Sequence, residues 1–310
     1  MKNLKPVNQT YLFGLHQYLQ ELIELDKKKC LPNKILLSGQ KGLGKSTLAY
    51  HFINYILSKD EEYKYDIGNF VINKENPSFK TTLNKSNPNL IVIDIDQEKK
   101  IIDINQIREL LSNLQKSSFN NKPKFILIDN IEFLNVNSIN ALLKVIEEPS
   151  ANIYFILINN NKKILSTLIS RCINFRIYLT HKKNLEIAEK LIQNKLNEVI
   201  NDELINYYST PGKLFKLIKL SQEYNLDLAN FDLNTTLTTL IKDKIYKKDK
   251  SIIEIIYSFI ELYFRNNISS KNISLLKSYH YFLEKINNTK IYNLDEETLF
   301  MEFEDKILNG

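Results

Sequence analysis

Cysteine is nearly absent: Cys30 and Cys172 are the only two in 310 residues. Two distant cysteines cannot make a four-cysteine zinc site, and a disulfide framework is excluded. Both read as ordinary, semi-buried thiols. No apolar run is long enough to span a bilayer. The opening stretch, MKNLKPVNQTYLFG, lacks the apolar core and small-residue cleavage site of a secretory leader. A cytoplasmic location is therefore expected. Internal repeats and long low-complexity tracts are missing too.

What is present is the composition of a globular protein, 43% hydrophobic and 25% charged. The length suits two or three domains. The net charge of +6 would suit a partner bearing phosphates. Lysine, asparagine and isoleucine are abundant everywhere, however, so charge alone does not establish contact with nucleic acid.

One stretch carries most of the chemistry. Ile35, Leu36, Leu37 and Ser38 read as a short buried strand. Gly39-Gln40-Lys41-Gly42-Leu43-Gly44-Lys45-Ser46 then fits G-x-x-x-x-G-K-[ST] at every fixed position. Leu48, Phe52, Tyr55 and Ile56 follow at helical spacing. Glycines permit positive φ, so that backbone N–H groups converge on a phosphate. The next helix adds the partial positive charge of its N-terminus. Lys45 would reach the β- and γ-phosphates, and the Ser46 hydroxyl would ligand Mg²⁺.

Further runs alternate with helical patterns. Leu15, Tyr18, Leu19, Leu22 and Ile23 make a helical stripe, closed by Pro32. Such a helix can lie beside the base of a nucleotide. Residues 59–89 are polar, with Asn-Pro turn signals, and read as a long surface excursion holding one helix at most. Leu90–Asp94 reads as a second strand. Asp103 and Gln106 form a capping box ahead of a helix lined by Ile104, Ile107, Leu111 and Leu114. Phe125–Asp129 is an apolar run ending in aspartate, the Walker B pattern, and its carboxylate would orient the waters of Mg²⁺. Asn135 caps a helix with Ile139, Leu142 and Ile146 on its buried face. Ile153–Ile158 is the fourth strand and Ile173–Ile177 the fifth.

After the fourth strand stand Asn159, Asn160 and Asn161. A polar residue here can touch the γ-phosphate or the attacking water, and an exposed turn is the other reading. Asn159 is taken into the site, with the choice among the three open. The expected nucleotide-binding set is Gly39, Gly42, Gly44, Lys45, Ser46, Thr47, Asp129 and Asn159, with ATP or ADP and Mg²⁺ held through Ser46 and Asp129.

Five buried strands alternating with helices predict an α/β P-loop NTPase domain with a five-stranded parallel sheet over residues 1–178. Beyond it only helical stripes occur. An all-α lid is expected over 179–245 and an all-α C-terminal domain over 246–310, the softer boundary falling in the lysine-rich stretch 242–250.

The segment from Phe125 to Cys172 resembles the AAA+ subunits of the bacterial replication clamp loader, a part of the DNA polymerase III holoenzyme. Asn140-Ala-Leu-Leu-Lys-Val-Ile-Glu-Glu-Pro149 matches that family's ALLK-x-x-EEP helix end. Ser170-Arg171-Cys172 matches its SRC motif, and Leu31-Pro32 its lead-in to the first strand. The likeness covers residues 10–178 in detail and the helical remainder in type only. It implies a ring with gamma/tau and delta subunits, assembled through the helical C-terminal domain. That ring acts on a sliding clamp and primer-template DNA. It also implies that Arg171 reaches a neighbour's γ-phosphate as an arginine finger, acting in trans.

Departures from the family pattern set the expected role. In motor subunits the Walker B aspartate is followed by glutamate; here Asp129 is followed by Asn130, which cannot take a proton from water. Glu132 is the one candidate to substitute for it, but its carboxylate starts from a different backbone position. Where motor subunits carry a sensor-2 arginine, this chain has Phe215, with Lys213 and Lys216 nearby. Residues 59–89 contain no cysteine, so the zinc module of many relatives is not expected. A long tethering extension of the tau type is not expected. Nucleotide binding with weak or no hydrolysis is therefore expected. A gamma-like active motor is the alternative, and a P-loop phosphotransferase a more distant one.

Overall fold

The protein is described by a computed structural model covering residues 4–95, 101–114, 120–147, 152–268 and 273–309. Its first part alternates helices and strands in chain order. These are α1 (His16–Lys27), β1 (Lys34–Ser38), α2 (Lys45–Leu57), α3 (Pro77–Leu83), β2 (Leu90–Ile93), α4 (Ile104–Leu114) and β3 (Lys124–Ile128). They continue as α5 (Val136–Glu147), β4 (Ile153–Asn159), α6 (Ser166–Ile169), β5 (Ile173–Arg176) and α7 (His181–Ile192).

The strands form one five-stranded sheet in the order β2-β3-β4-β1-β5. Every neighbouring pair is parallel. β1, β3 and β4 lie in the middle and are buried on both faces, as their unbroken apolar runs require. β2 and β5 are edges. Val92 is 45% exposed and Ile173 57% exposed, which corrects the expectation of five buried strands. An apolar run alone does not separate an edge from a centre.

Register brings the functional loops together. Ser38 pairs with Asn159, Leu157 with Ile128, and Ile128 with Ile93. The segments leaving β1, β3 and β4 therefore emerge side by side at the carboxyl end of the sheet, where parallel α/β sheets bind ligands.

Local signals act as the sequence suggests. Gln106 donates its N–H to Asp103 Oδ1 at 3.2 Å, and Asp103 donates back to Gln106 Oε1 at 3.1 Å. Ser138 donates to Asn135 Oδ1 at 2.8 Å at the start of α5. α1 stops earlier than Pro32: Lys28 is its C-cap, and Lys29 turns the chain at φ 56°. Residues 59–89 do hold one helix, but they are not purely a surface excursion. Tyr65, Ile72 and Phe79 are buried, as is Asn76, which caps α3. The expectation of two semi-buried thiols holds for Cys172 but not for Cys30, which is exposed.

The chain divides into two compact units, Met1–Ile187 with Thr210–Gly212, and Ala188–Ser209 with Lys213–Gly310. Beyond α7 the chain adds α8 (Pro211–Glu223), α9 (Leu233–Lys242), α10 (Ile245–Lys248), α11 (Ser251–Asn267), α12 (Ile273–Tyr292) and α13 (Glu296–Phe303). No strand occurs there among the described residues. An aromatic cluster holds the second unit: Phe282 lies 5.2 Å from Phe303 and 6.0 Å from Phe264, centroid to centroid. Among the described residues no helix is long and apolar enough to cross a membrane.

Candidate nucleotide site

β1 runs into the loop Gly39–Gly44, in which Gly39, Gly42 and Gly44 take φ of 153°, 89° and 89°. Gly44 caps α2 in the left-handed region, where a side chain would be strained. The loop thus wraps the positive end of α2, the arrangement that receives a phosphate.

Lys45 opens α2 and is only 3% exposed. Its ammonium donates to Gly39 O at 2.8 Å, Gln40 O at 2.8 Å and Asn160 Oδ1 at 2.9 Å. Burial lowers its pKa to about 8, against the carboxylates of Asp129 and Glu132, which raise it. The Ser46 hydroxyl donates to Asp129 Oδ2. Burial also raises the pKa of Asp129, against the hydrogen bond from Ser46. Thr47 follows Ser46 in the first turn of α2, partly buried. Tyr50, one turn on, has its phenol pushed up to about 12 by burial, then by Asp129 and Asp94. A buried cation on a glycine loop, beside a hydroxyl and a carboxylate, fits a phosphate with a divalent cation.

The three asparagines separate by strand alternation. Asn159 ends β4 and turns its side chain to Lys162, accepting from Lys162 N–H at 3.0 Å and donating to Lys162 O at 2.9 Å. Asn160 projects to the opposite side and reaches Lys45. The side chain at the loop is therefore that of Asn160, in place of the expected Asn159.

Glu132 also enters the site. Its carboxylate accepts from the Asn160 side-chain amide at 2.9 Å and from Asn160 N–H at 3.2 Å. Asn130 stands at φ 56°, accepts from Asn160 Nδ2 at 2.7 Å and donates to Asp94 Oδ1 at 2.7 Å. The sequence offered Glu132 as a candidate carboxylate, but its spacing gave no sign of these bonds to Asn160. The left-handed turn at Asn130 and the short 3₁₀ turn Ile131–Phe133 bring Glu132 round.

A segment distant in sequence braces the loop from outside. Thr210 Oγ1 donates to Lys41 O at 2.8 Å, and Gly212 N–H donates to Gly42 O at 3.0 Å. Two loop carbonyls are thereby held outward. Downstream on α8, Phe215 is buried, whereas Lys213 and Lys216 are exposed.

Arg171, after α6, is separate from this cluster in its contacts. It bonds to Glu147 at the end of α5 and to Thr167 O, with 35% of its side chain exposed. Glu148 and Pro149 of the helix-end motif lie outside the described residues. Among the described residues no group of three or more His, Cys, Asp or Glu is placed to hold a metal ion.

A parallel α/β sheet with this loop at its carboxyl end is the P-loop NTPase architecture, here of the AAA+ type and followed by helices. The sequence pattern of the family described as "DNA polymerase III, delta subunit" matches residues 14–180, more than half of the chain. The chain belongs to that family.

Individual relatives agree. The chain is 25% identical to the DNA polymerase III subunit delta' of Buchnera aphidicola subsp. Schizaphis graminum, over 87% of its own length and 83% of the relative's. It is 29% identical to the subunit gamma of the same organism over 66% of the chain, and 36% identical to the subunit tau of Salmonella typhimurium over 37%. The matched regions span 55% of that gamma subunit and 17% of that tau subunit.

Proposed function

We propose that the chain is a delta-prime-like subunit of the DNA polymerase III clamp loader. It takes part in ATP-dependent loading of the sliding clamp on primed DNA. Its partners are gamma/tau and delta subunits, and through the assembly the clamp and primer-template DNA. Residues 179–245 serve as a lid and residues 246–310 as the collar that joins the ring. Family membership and the long alignment with the Buchnera delta' subunit support this reading.

One observation carries the division of labour. The loop, Lys45, Ser46 and Asp129 are assembled to hold a nucleotide, while the residue after Asp129 is an amide already bonded to Asp94 and Asn160. An amide has no proton-accepting strength at neutral pH. The loop amides and Lys45 hold the phosphates of ATP or ADP, and Ser46 and Asp129 hold Mg²⁺. Mg²⁺ supplies charge neutralisation between the terminal phosphates. Hydrolysis in this site is weak or absent. Arg171, partly exposed and outside the chain's own site, serves a neighbouring subunit.

Glu132 favours a second reading, a gamma-like motor, because its carboxylate lies within the site. Steady-state ATPase assays on the isolated chain and on Lys45→Ala separate the two. Bound nucleotide with negligible turnover is the expected result. Motor-like turnover that disappears in Lys45→Ala would establish the gamma-like role instead.

A further inference from the structure

The hydrogen-bond polarity around Asn160 is fully determined. Lys45 can only donate and a carboxylate can only accept. The Asn160 amide must therefore present its oxygen to Lys45 and its nitrogen to Glu132. The same nitrogen donates to Asn130 Oδ1, so Asn130 must turn its own nitrogen to the carboxylate of Asp94. The result is a directed chain, Lys45 to Asn160 to Asn130 to Asp94, with Glu132 as a branch that also takes the Asn160 backbone N–H. It begins at a donor-only group and ends at two acceptor-only groups, so neither amide can flip without facing like with like.

This polarity bears on the ligand. A polar side chain beside a terminal phosphate stabilises it by donating a hydrogen bond to its oxygens. Here both side-chain donors of Asn160 are drawn away, and its oxygen lone pairs face the lysine. An acceptor so placed competes with a phosphate oxygen for the third N–H of Lys45, and it repels that oxygen. The two other N–H groups of Lys45 lie on the loop's own carbonyls. A group bound deeper in the loop, on the amides at the start of α2, does not meet this acceptor.

Resting on the reading that the loop binds nucleotide, we propose that the site is built for a nucleoside diphosphate over a triphosphate. Asn160 is the discriminating group, and Glu132 and Asn130 fix its polarity. The chain then sits in its ring as a diphosphate-holding subunit whose site does not respond to the triphosphate.

Titration with Mg-ADP and with a non-hydrolysable Mg-ATP analogue tests this, on the isolated chain and on the variant that carries Glu132→Gln and Asp94→Asn together. Each single substitution leaves the other carboxylate in place, whereas neutral amides at both positions can donate, which frees Asn160 to turn its nitrogen toward the phosphates. The chain itself should bind ADP more tightly than the ATP analogue. The two substitutions together should shift the ratio of the two dissociation constants toward the triphosphate, by about tenfold for one hydrogen bond to a charged group. A wild-type chain that prefers the triphosphate, or a ratio unmoved by both substitutions, overturns the proposal while leaving nucleotide binding intact. Failure to bind either nucleotide overturns the nucleotide reading itself, and this one with it.

Discussion

Arg171 rests two of its nitrogens on one oxygen of Glu147, Nη2 at 2.6 Å and Nε at 3.0 Å. Nη1 donates to Thr167 O at 2.8 Å. Three of five guanidinium N–H groups are thus engaged, and one on each terminal nitrogen has no partner among the described residues. The two side chains are 35% and 50% exposed, so the pair contributes less than about 1 kcal/mol to stability. Its effect is to orient the guanidinium. Glu147→Ala should leave the unfolding midpoint almost unchanged. In the reconstituted loader it should lower kcat of DNA-stimulated ATP hydrolysis severalfold with little change in KM. Glu147→Asp should recover part of the loss.

Gly212 lies against the phosphate-binding loop. A Cβ there would stand 2.8 Å from Gly42 Cα and 3.0 Å from Gly42 O, both of them backbone atoms. The loop would have to shift. Gly212→Ala should therefore destabilise the chain by about 1–3 kcal/mol, an overpacking cost that outweighs the better helix propensity of alanine. Nucleotide affinity should fall with it, because the displaced residue is in the loop. Denaturant unfolding and nucleotide titration check the two effects.

The lowered pKa of Lys45, about 8, sets a pH limit on binding. The ammonium must be charged to hold phosphate. Below pH 8 it is charged already, whereas above pH 8 binding must take up a proton. Affinity for ADP should therefore be flat from pH 7 to about 8 and fall progressively above it. Calorimetry in buffers of different ionisation enthalpy should detect proton uptake at pH 8.5. Lys45→Arg, which stays charged, should bind without that uptake.

His51 predicts a sensitivity to acid. It is fully buried, with Nε2 donating to Gln9 O at 3.1 Å and Nδ1 accepting from the Tyr65 hydroxyl at 2.8 Å. Burial lowers its pKa to about 4, from an ordinary 6.5. Between these values the unfolded chain binds the extra proton, so stability rises with pH and is lost on acidification from 6.5 toward 4. The shift corresponds to about 3 kcal/mol. Unfolding of the wild type and of His51→Gln, measured from pH 7 to 4.5, should show a shallower loss in the variant.

Much of this molecule was legible in its sequence, and the rest was not, for physical reasons. The P-loop was legible because backbone geometry, charge and helix start are written in adjacent residues. The helix caps at Asp103 and Asn135 were legible because capping is local. Edge and centre strands were not distinguished, since the apolar runs of β2 and β4 look alike and their positions depend on pairing order. The choice among Asn159, Asn160 and Asn161 stayed open in the sequence because the end of a strand cannot be fixed to one residue, and one residue decides the face. The bonding of Glu132 to Asn160 and the contact of Gly212 with Gly42 depend on a positive φ at Asn130 and on a segment about 170 residues away in sequence. Neither leaves a trace in local spacing.

The central claim is that this chain keeps a nucleotide pocket, has lost its own hydrolytic acid and lends Arg171 to its neighbour. The most direct measurement is DNA-stimulated ATP hydrolysis by the loader reconstituted from gamma/tau, delta and this chain, with Arg171→Ala in place of the wild type. The account predicts that the ring still assembles and that turnover at the adjoining site falls by about a thousandfold, lowering the total rate. An assembled ring that hydrolyses ATP at the wild-type rate would contradict it.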